Sequence, residues 1–380
     1  MLRRRLRSGI RDSGSYELFF SMFAKGLAEI IALTLAFPAG AASYAAGEDQ
    51  RTTTTSSAAI RNHGNGALRI TIWYPAAGTE REVDIGSATD PIFIAGRVAT
   101  RAPFADAVRH PLILASHGFG GTARQLTWLG ASLARHGFIV AAVDHPGTNG
   151  ADGVTPQGAY APWERASDLK AALDFLLADP KLASHIDAGR IGVAGFSLGG
   201  FTGALEAGAR TDFDQFIKFC NGPSRDAICN PQLEFPLDYH GQAEVLARPE
   251  MRDLRARENS DFRDPRITAA FLIAPALVQA FDFATAKRIH IPVEIVLGSA
   301  DPIAPPGTNG ELLARLIPGA RLKVFPAVGH YDFLSECGPA GAKDAAAYCT
   351  DGVGTKRADT HASTVAAAIE FFDGTIGRRH

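Results

Sequence analysis

Residues 190–200 read Arg190-Ile191-Gly192-Val193-Ala194-Gly195-Phe196-Ser197-Leu198-Gly199-Gly200, and Phe201-Thr202-Gly203-Ala204-Leu205-Glu206-Ala207 follows. The first five residues predict a short buried strand, and the stretch after Gly200 predicts a helix of small residues. Between them, Gly195-x-Ser197-x-Gly199 has the spacing of a nucleophile elbow. Such a turn is so tight that the serine adopts a strained backbone conformation. Side chains two residues to either side would collide, so glycine is expected at both places. The serine oxygen then stands above the sheet, and the next backbone N–H points into the same space. A hydroxyl is a poor nucleophile at neutral pH, so the rest of the chain has to supply a base, an orienting acid and a second oxyanion donor.

The surrounding sequence predicts the framework for such a turn. Pro111–Ser116 and Phe138–Val143 read as buried strands, separated by an amphipathic helix from Arg124 to Arg135. A second helix is expected over Ala166–Ala178. Buried strands return at Ile267–Ala274, Val293–Leu297 and Leu322–Phe325, and a helix from Ser363 to Phe372 closes the chain. Continuous apolar strands alternating with helices predict a mostly parallel sheet covered on both faces. Leu68–Tyr74 alternates instead at period two and predicts a half-buried strand, with Arg81–Ile85 as a weaker antiparallel partner. Residues 209–266 are charged, contain Pro223, Pro231 and Pro236, and break the rhythm. They predict an inserted lid or, equally, a surface excursion with no substrate contact.

His330, in Gly329-His330-Tyr331-Asp332 just past the last predicted strand, is the expected base. Asp301, in Gly298-Ser299-Ala300-Asp301-Pro302, is the expected acid, because it follows a strand and preserves the chain order Ser, Asp, His. Asp144 precedes the serine, and Asp332 lies too close to His330 to reach its far nitrogen; both are rivals for the acid. The oxyanion donors are expected to be the N–H groups of Leu198 and Phe119. Phe119 belongs to Ser116-His117-Gly118-Phe119-Gly120-Gly121, after the first buried parallel strand. His117 is expected to shape that loop rather than act as base. His145, in Asp144-His145-Pro146-Gly147, either lines the pocket or ends a strand. Phe119, Phe196 and Phe201 suit either an apolar rim or core packing.

The chain has 380 residues, is 46% hydrophobic and carries a formal net charge of -2. That is ample for one large core, and the balance of charge argues against a nucleic-acid surface. Residues 1–45 hold six basic and three acidic side chains and an apolar run over 26–37. Small residues follow at Ala39-Gly40-Ala41 and Ser43-Tyr44-Ala45. This predicts a cleaved signal peptide over 1–45 and a periplasmic or secreted protein, with Met22 as an alternative start. The mature chain is then expected to have no stable membrane span. Residues 46–65 are polar and predict a flexible lead-in, so the main domain is expected over 66–380, with 209–266 inserted. Cys220 and Cys229 are close in sequence, as are Cys337 and Cys349, and each pair could close a small loop in an oxidising compartment, with three pairings open. No metal-ligand cluster is legible.

Over residues 66–375 the chain resembles the α/β-hydrolase superfamily. Ile72-Trp73-Tyr74-Pro75, Ser116–Gly121, Asp144–Gly147 and Gly195–Gly200 look like the bacterial dienelactone-hydrolase-related group, which is akin to platelet-activating-factor acetylhydrolases. The resemblance implies an α/β-hydrolase fold, a Ser197–Asp301–His330 triad, an oxyanion loop at Phe119, a small-molecule ester as substrate and no cofactor. Two departures stand out. Dienelactone hydrolases have cysteine where this chain has Ser197, which argues against dienelactone. The acetylhydrolases carry their acid after the strand following the elbow, where this chain reads Ala274-Pro275-Ala276-Leu277. The same residues also suit an acyltransferase or an amidase, and a binding protein on a hydrolase scaffold is the non-catalytic reading. The sequence is silent on oligomeric state.

Overall fold

The apolar runs legible in the sequence become the centre of one sheet. The computed structural model describes residues 44–86, 91–234, 241–352 and 354–377. The strands of these residues are β1 (Ala45–Thr54), β2 (Ala67–Ala76), β3 (Val83–Asp84), β4 (Arg97–Thr100), β5 (His110–Ser116), β6 (Ile139–Val143), β7 (Thr148–Asn149), β8 (Gly153–Val154), β9 (Ile186–Phe196), β10 (Ile267–Ile273), β11 (Val293–Gly298) and β12 (Arg321–Phe325). β7 and β8 form a small hairpin, and the other ten make one sheet in the order β12-β11-β10-β9-β5-β6-β2-β1-β4-β3. From β12 to β6 every neighbouring pair is parallel. β2 joins β6 and β1 antiparallel. The architecture is therefore the α/β-hydrolase fold, a mostly parallel sheet with helices.

Every residue of β5, β6 and β11 is buried, as strands covered on both faces must be. The core divides accordingly. On one face Leu112, Leu114, Val193 and Leu272 meet the helices Glu164–Ala178 and Leu198–Ala207, through Leu169, Leu173, Phe201 and Leu205. On the other, Phe271 packs with Phe371 and Phe372 of the closing helix Arg357–Thr375. Burying each such aromatic side chain contributes about 1.5–3 kcal/mol.

Two expectations fail at the N-terminal edge. Residues 46–65 are not a flexible lead-in. Ala45–Thr54 pairs residue for residue with β2, from Ala45 opposite Ala76 to Thr54 opposite Ala67. Ser56–Arg61 then forms a short helix whose first turn is capped by Thr55, which accepts from the Ala58 N–H. The composition is polar because beyond Glu48 the strand alternates between half-exposed and exposed positions. Arg81–Ile85 does not pair with β2 either, because β1 occupies that edge and Val83–Asp84 pairs with β4. The predicted leader lies outside the described residues except for Tyr44 and Ala45. Tyr44 donates from its hydroxyl to Asp106 at 3.1 Å and Ala45 opens β1, so these two residues belong to the fold.

The cysteines pair locally, Cys220 with Cys229 and Cys337 with Cys349. The first bridge ties the helix Phe213–Asn221 to the segment after it, inside the 209–266 insertion.

If β1 is an integral strand, the amides of Gly47, Asp49, Arg51 and Thr53, which face β2, exchange with deuterium far more slowly than those of an unstructured chain, while outward amides such as that of Gln50 exchange fast. Exchange of those four at the rate of an unstructured tail would contradict the pairing.

Candidate active site

Ser197 sits at the carboxyl end of β9, on the turn into the helix Leu198–Ala207. Its backbone has φ 55° and ψ -117°, a conformation L-residues avoid. Crowding imposes it. A Cβ on Gly199 would lie 1.9 Å from the Ser116 carbonyl oxygen, and one on Gly195 would lie 2.1 Å from the Gly199 carbonyl oxygen. The turn is held on its far side as well, since the Ser197 N–H donates to the Ile273 carbonyl at 2.9 Å.

The other singled-out residues follow neighbouring strands at the same edge. Phe119 follows β5, Asp301 follows β11 and His330 follows β12. His330 Nε2 lies 2.9 Å from Ser197 Oγ, and its Nδ1 lies 2.6 Å from Asp301 Oδ2. The other Asp301 oxygen accepts from the Ile303 and Ala304 N–H groups, each at 2.8 Å. The carboxylate is thereby aimed, with one oxygen on backbone and one on the imidazole. All three side chains are buried, with Ser197 7%, Asp301 5% and His330 2% exposed. Burial pulls the His330 pKa down, but the charge and hydrogen bond of Asp301, reinforced by Glu234, raise it above the usual imidazole value.

The rival acids are occupied elsewhere. Asp144 accepts from Arg69 and from the Ala123 N–H, and Asp332 accepts from the Gly329 and Gly352 N–H groups. His145 does not line the pocket; it is fully buried and bonded to Ser116 and Asp168. His117 is buried too, with Nδ1 2.6 Å from the Gly118 carbonyl, and it shapes the loop as expected. The loop after β10, Ala274–Leu277, brings no carboxylate but bonds the turn, the Ala276 N–H donating to the Ser197 carbonyl at 3.2 Å.

Ser197 opens onto two adjoining hollows. One is lined mainly by apolar side chains, among them Phe119, Leu198, Phe213, Phe216, Ile228 and Leu277. The other is bounded by Phe119, Phe196, Gln125, His330, Tyr331 and Tyr348. Phe213, Phe216 and Ile228 come from the 209–266 insertion, as does Glu234, which accepts from the Tyr331 hydroxyl beside His330. Phe119 and Phe196 lie at the rim, and Phe196 packs 5.0 Å from the His330 ring. Phe201 does not, because it is fully buried and stacked on Phe281.

Sequence reasoning missed Glu234 and a buried polar cluster formed by Arg61, Arg165 and Asp168. A signal for the last two existed. Arg165 and Asp168 fall on the stripe of Leu169, Ala172, Leu173 and Leu176 that faces the core. Charged residues on an apolar stripe mark buried, partnered charges. Nothing in the sequence marks Glu234.

Comparison with known proteins identifies the family and agrees with the fold. A family model described as the alpha/beta hydrolase family matches residues 112–340. Cutinase est2 of Thermobifida alba is 40% identical over 90 residues, which are 23% of this chain and 27% of that protein. A bis(hydroxyethyl) terephthalate hydrolase of Streptomyces coelicolor is 36% identical over 95 residues, 25% of this chain and 27% of that protein. The chain thus matches about a quarter of the length of these relatives. The solved structure of a ferulic acid esterase from Streptomyces cinnamoneus shares the fold, with a TM-score of 0.55 and 22% identity, covering 91% of this chain and 94% of that one. With the family model spanning more than half of its length, this chain belongs to the alpha/beta hydrolase family.

Proposed function

We propose that the protein is a serine hydrolase of carboxylic esters. The observation that carries this reading is the unbroken array from Asp301 through His330 to Ser197, beside an apolar hollow. Ser197 Oγ attacks the ester carbonyl while His330 Nε2 takes its proton. Asp301 holds the proton on Nδ1 and stabilises the imidazolium that forms. The N–H groups of Phe119 and Leu198 receive the negative charge that develops on the carbonyl oxygen. His330 then passes its proton to the departing alcohol, leaving an acyl-enzyme on Ser197. Water attacks this ester with His330 again as base, and the acid is released. No step needs a cofactor.

The mainly apolar lining, with Glu234 as its one charged side chain among the described residues, favours an acyl group without negative charge, because a carboxylate there would lose hydration beside another carboxylate. The names of the relatives support the reaction class, since each denotes a protein that cleaves esters. The two disulfides support a life in an oxidising compartment, periplasmic or extracellular, reached through a leader that ends before Tyr44.

Two measurements test the reading. Ser197→Ala lowers turnover of p-nitrophenyl butyrate by about 10⁴-fold or more, and Asp301→Asn by about 10⁴-fold, with KM little changed. Wild-type turnover in Ser197→Ala would exclude the mechanism.

The second is the pH profile. His330 is active only when neutral, and its pKa is raised, so kcat/KM falls with decreasing pH through a limb above the usual imidazole value. Glu234 contributes to the raising. Glu234→Gln therefore shifts that limb to lower pH, and a shift upward would contradict the electrostatics.

A further inference from the structure

Beneath the loop after β5 lies a buried cation that the reaction itself does not use. Arg165, on the helix Glu164–Ala178, has 0% exposure. Among the described residues no carboxylate lies within salt-bridge distance of it; Asp168, one turn along the helix, is held by Arg61 at 2.5 and 3.0 Å and by His145 at 3.0 Å. The Arg165 guanidinium is satisfied by neutral acceptors instead. Nε donates to Thr202 Oγ1 at 3.2 Å, Nη1 to Thr148 Oγ1 at 2.7 Å, and Nη2 to Ser116 Oγ at 3.2 Å and to the His117 carbonyl. Burial without a paired anion pulls its pKa down to about 9, which leaves it charged at neutral pH. Keeping a charge there costs more than an apolar side chain of the same volume would.

Two of these arms lead, one directly and one through a hydroxyl, to the backbones that carry the expected oxyanion donors. The first reaches the His117 carbonyl, at the root of the loop that presents Phe119. That loop is clamped again one peptide later. The His117 ring accepts at Nε2 from the His145 N–H at 3.1 Å, so its proton resides on Nδ1, which donates to the Gly118 carbonyl at 2.6 Å. In a trans peptide the N–H points opposite to the C=O, so fixing the Gly118 carbonyl fixes the direction of the Phe119 N–H. The second arm reaches Thr202, whose hydroxyl donates to the Leu198 carbonyl at 2.9 Å, in the first turn of the helix that begins with Leu198. Ser116 ties the fork to the Asp168 cluster, since its hydroxyl accepts from Arg165 and donates to His145 Nε2 at 2.8 Å.

We infer that Arg165 is a positioning residue for the oxyanion site, a rigid fork that sets the spacing between the Phe119 and Leu198 N–H groups from below. Guanidinium suits this task because its donors are planar and fixed relative to one another, whereas a lysine ammonium has one centre on a flexible stem. The inference rests on the ester-hydrolase reading and adds to it the origin of the preset hole.

The test is Arg165→Met together with Thr202→Val, which removes only the arm toward the Leu198 helix. Full loss of one oxyanion donor costs about 100- to 1000-fold; displacement of a donor that remains present costs less. The expected result is a fall in kcat of about 10- to 100-fold in Arg165→Met and a smaller fall in Thr202→Val. KM and the acid limb of the pH profile stay unchanged, and affinity for a trifluoromethyl ketone, which places an oxyanion in the hole, falls in step with kcat. If Arg165→Met does not fold, Thr202→Val decides by the same readouts. Folded variants with unchanged kcat and unchanged trifluoromethyl ketone affinity would overturn the inference. Ser197→Ala, assayed in the same series, judges the ester-hydrolase reading independently of either variant.

Discussion

The structure turns on a steric constraint, the approach of the Gly199 backbone to the Ser116 carbonyl, where even a methyl group would have no room. That contact brings the turn after β9 against the end of β5. It forces Ser197 into its left-handed backbone conformation and sets the helix Leu198–Ala207 directly beside the loop that carries Phe119. Ser197 is therefore placed by backbone packing, while the side chains of Arg165, Thr202 and His117 brace the backbones of the two expected oxyanion donors. The strain at Ser197 is offset by the hydrogen bonds that its own N–H and carbonyl make to Ile273 and Ala276. Proximity of this kind is fixed before any substrate arrives, as an efficient site requires.

The charges around the site fall into two sets. Above the sheet edge, Asp301 and Glu234 raise the affinity of His330 for a proton against the pull of burial, which suits the proposed role of base. Below the edge, Arg165 and Arg61 flank Asp168, and burial with these cations pushes His145 well below the usual imidazole value. His117 is lowered likewise by burial, then by Arg165. Both lower histidines thus stay neutral and serve as fixed hydrogen-bonding groups. The chain uses one residue type for opposite purposes, and environment alone assigns them.

Much of this was legible in the sequence because it depends on local spacing. The Gly195-x-Ser197-x-Gly199 turn, the strand-end positions of Asp301 and His330, and the Ser, Asp, His order are all sequence properties, as are the buried strands. The edge was not legible. Ala45–Thr54 is a strand because β2 offers it a partner, and its polar, half-exposed alternation looks like a tail when read alone. Phe201 could be read as a rim residue for the opposite reason, since an aromatic next to an elbow gives no sign of which face of its helix is covered. The reach of Glu234 to Tyr331 depends on how residues 209–266 fold back, and no periodicity encodes that return. Arg165 and Asp168 lie between these cases, because their stripe was visible and their partners were not.

The central claim is that one hydroxyl among all those in the chain has been made nucleophilic by its neighbours. Mass-spectrometric mapping of the adduct formed with a fluorophosphonate probes this most directly. The account predicts a single modified residue, Ser197, with labelling suppressed at acid pH as His330 becomes protonated. Adduct formation at another residue, or none on folded protein at neutral pH, would contradict it.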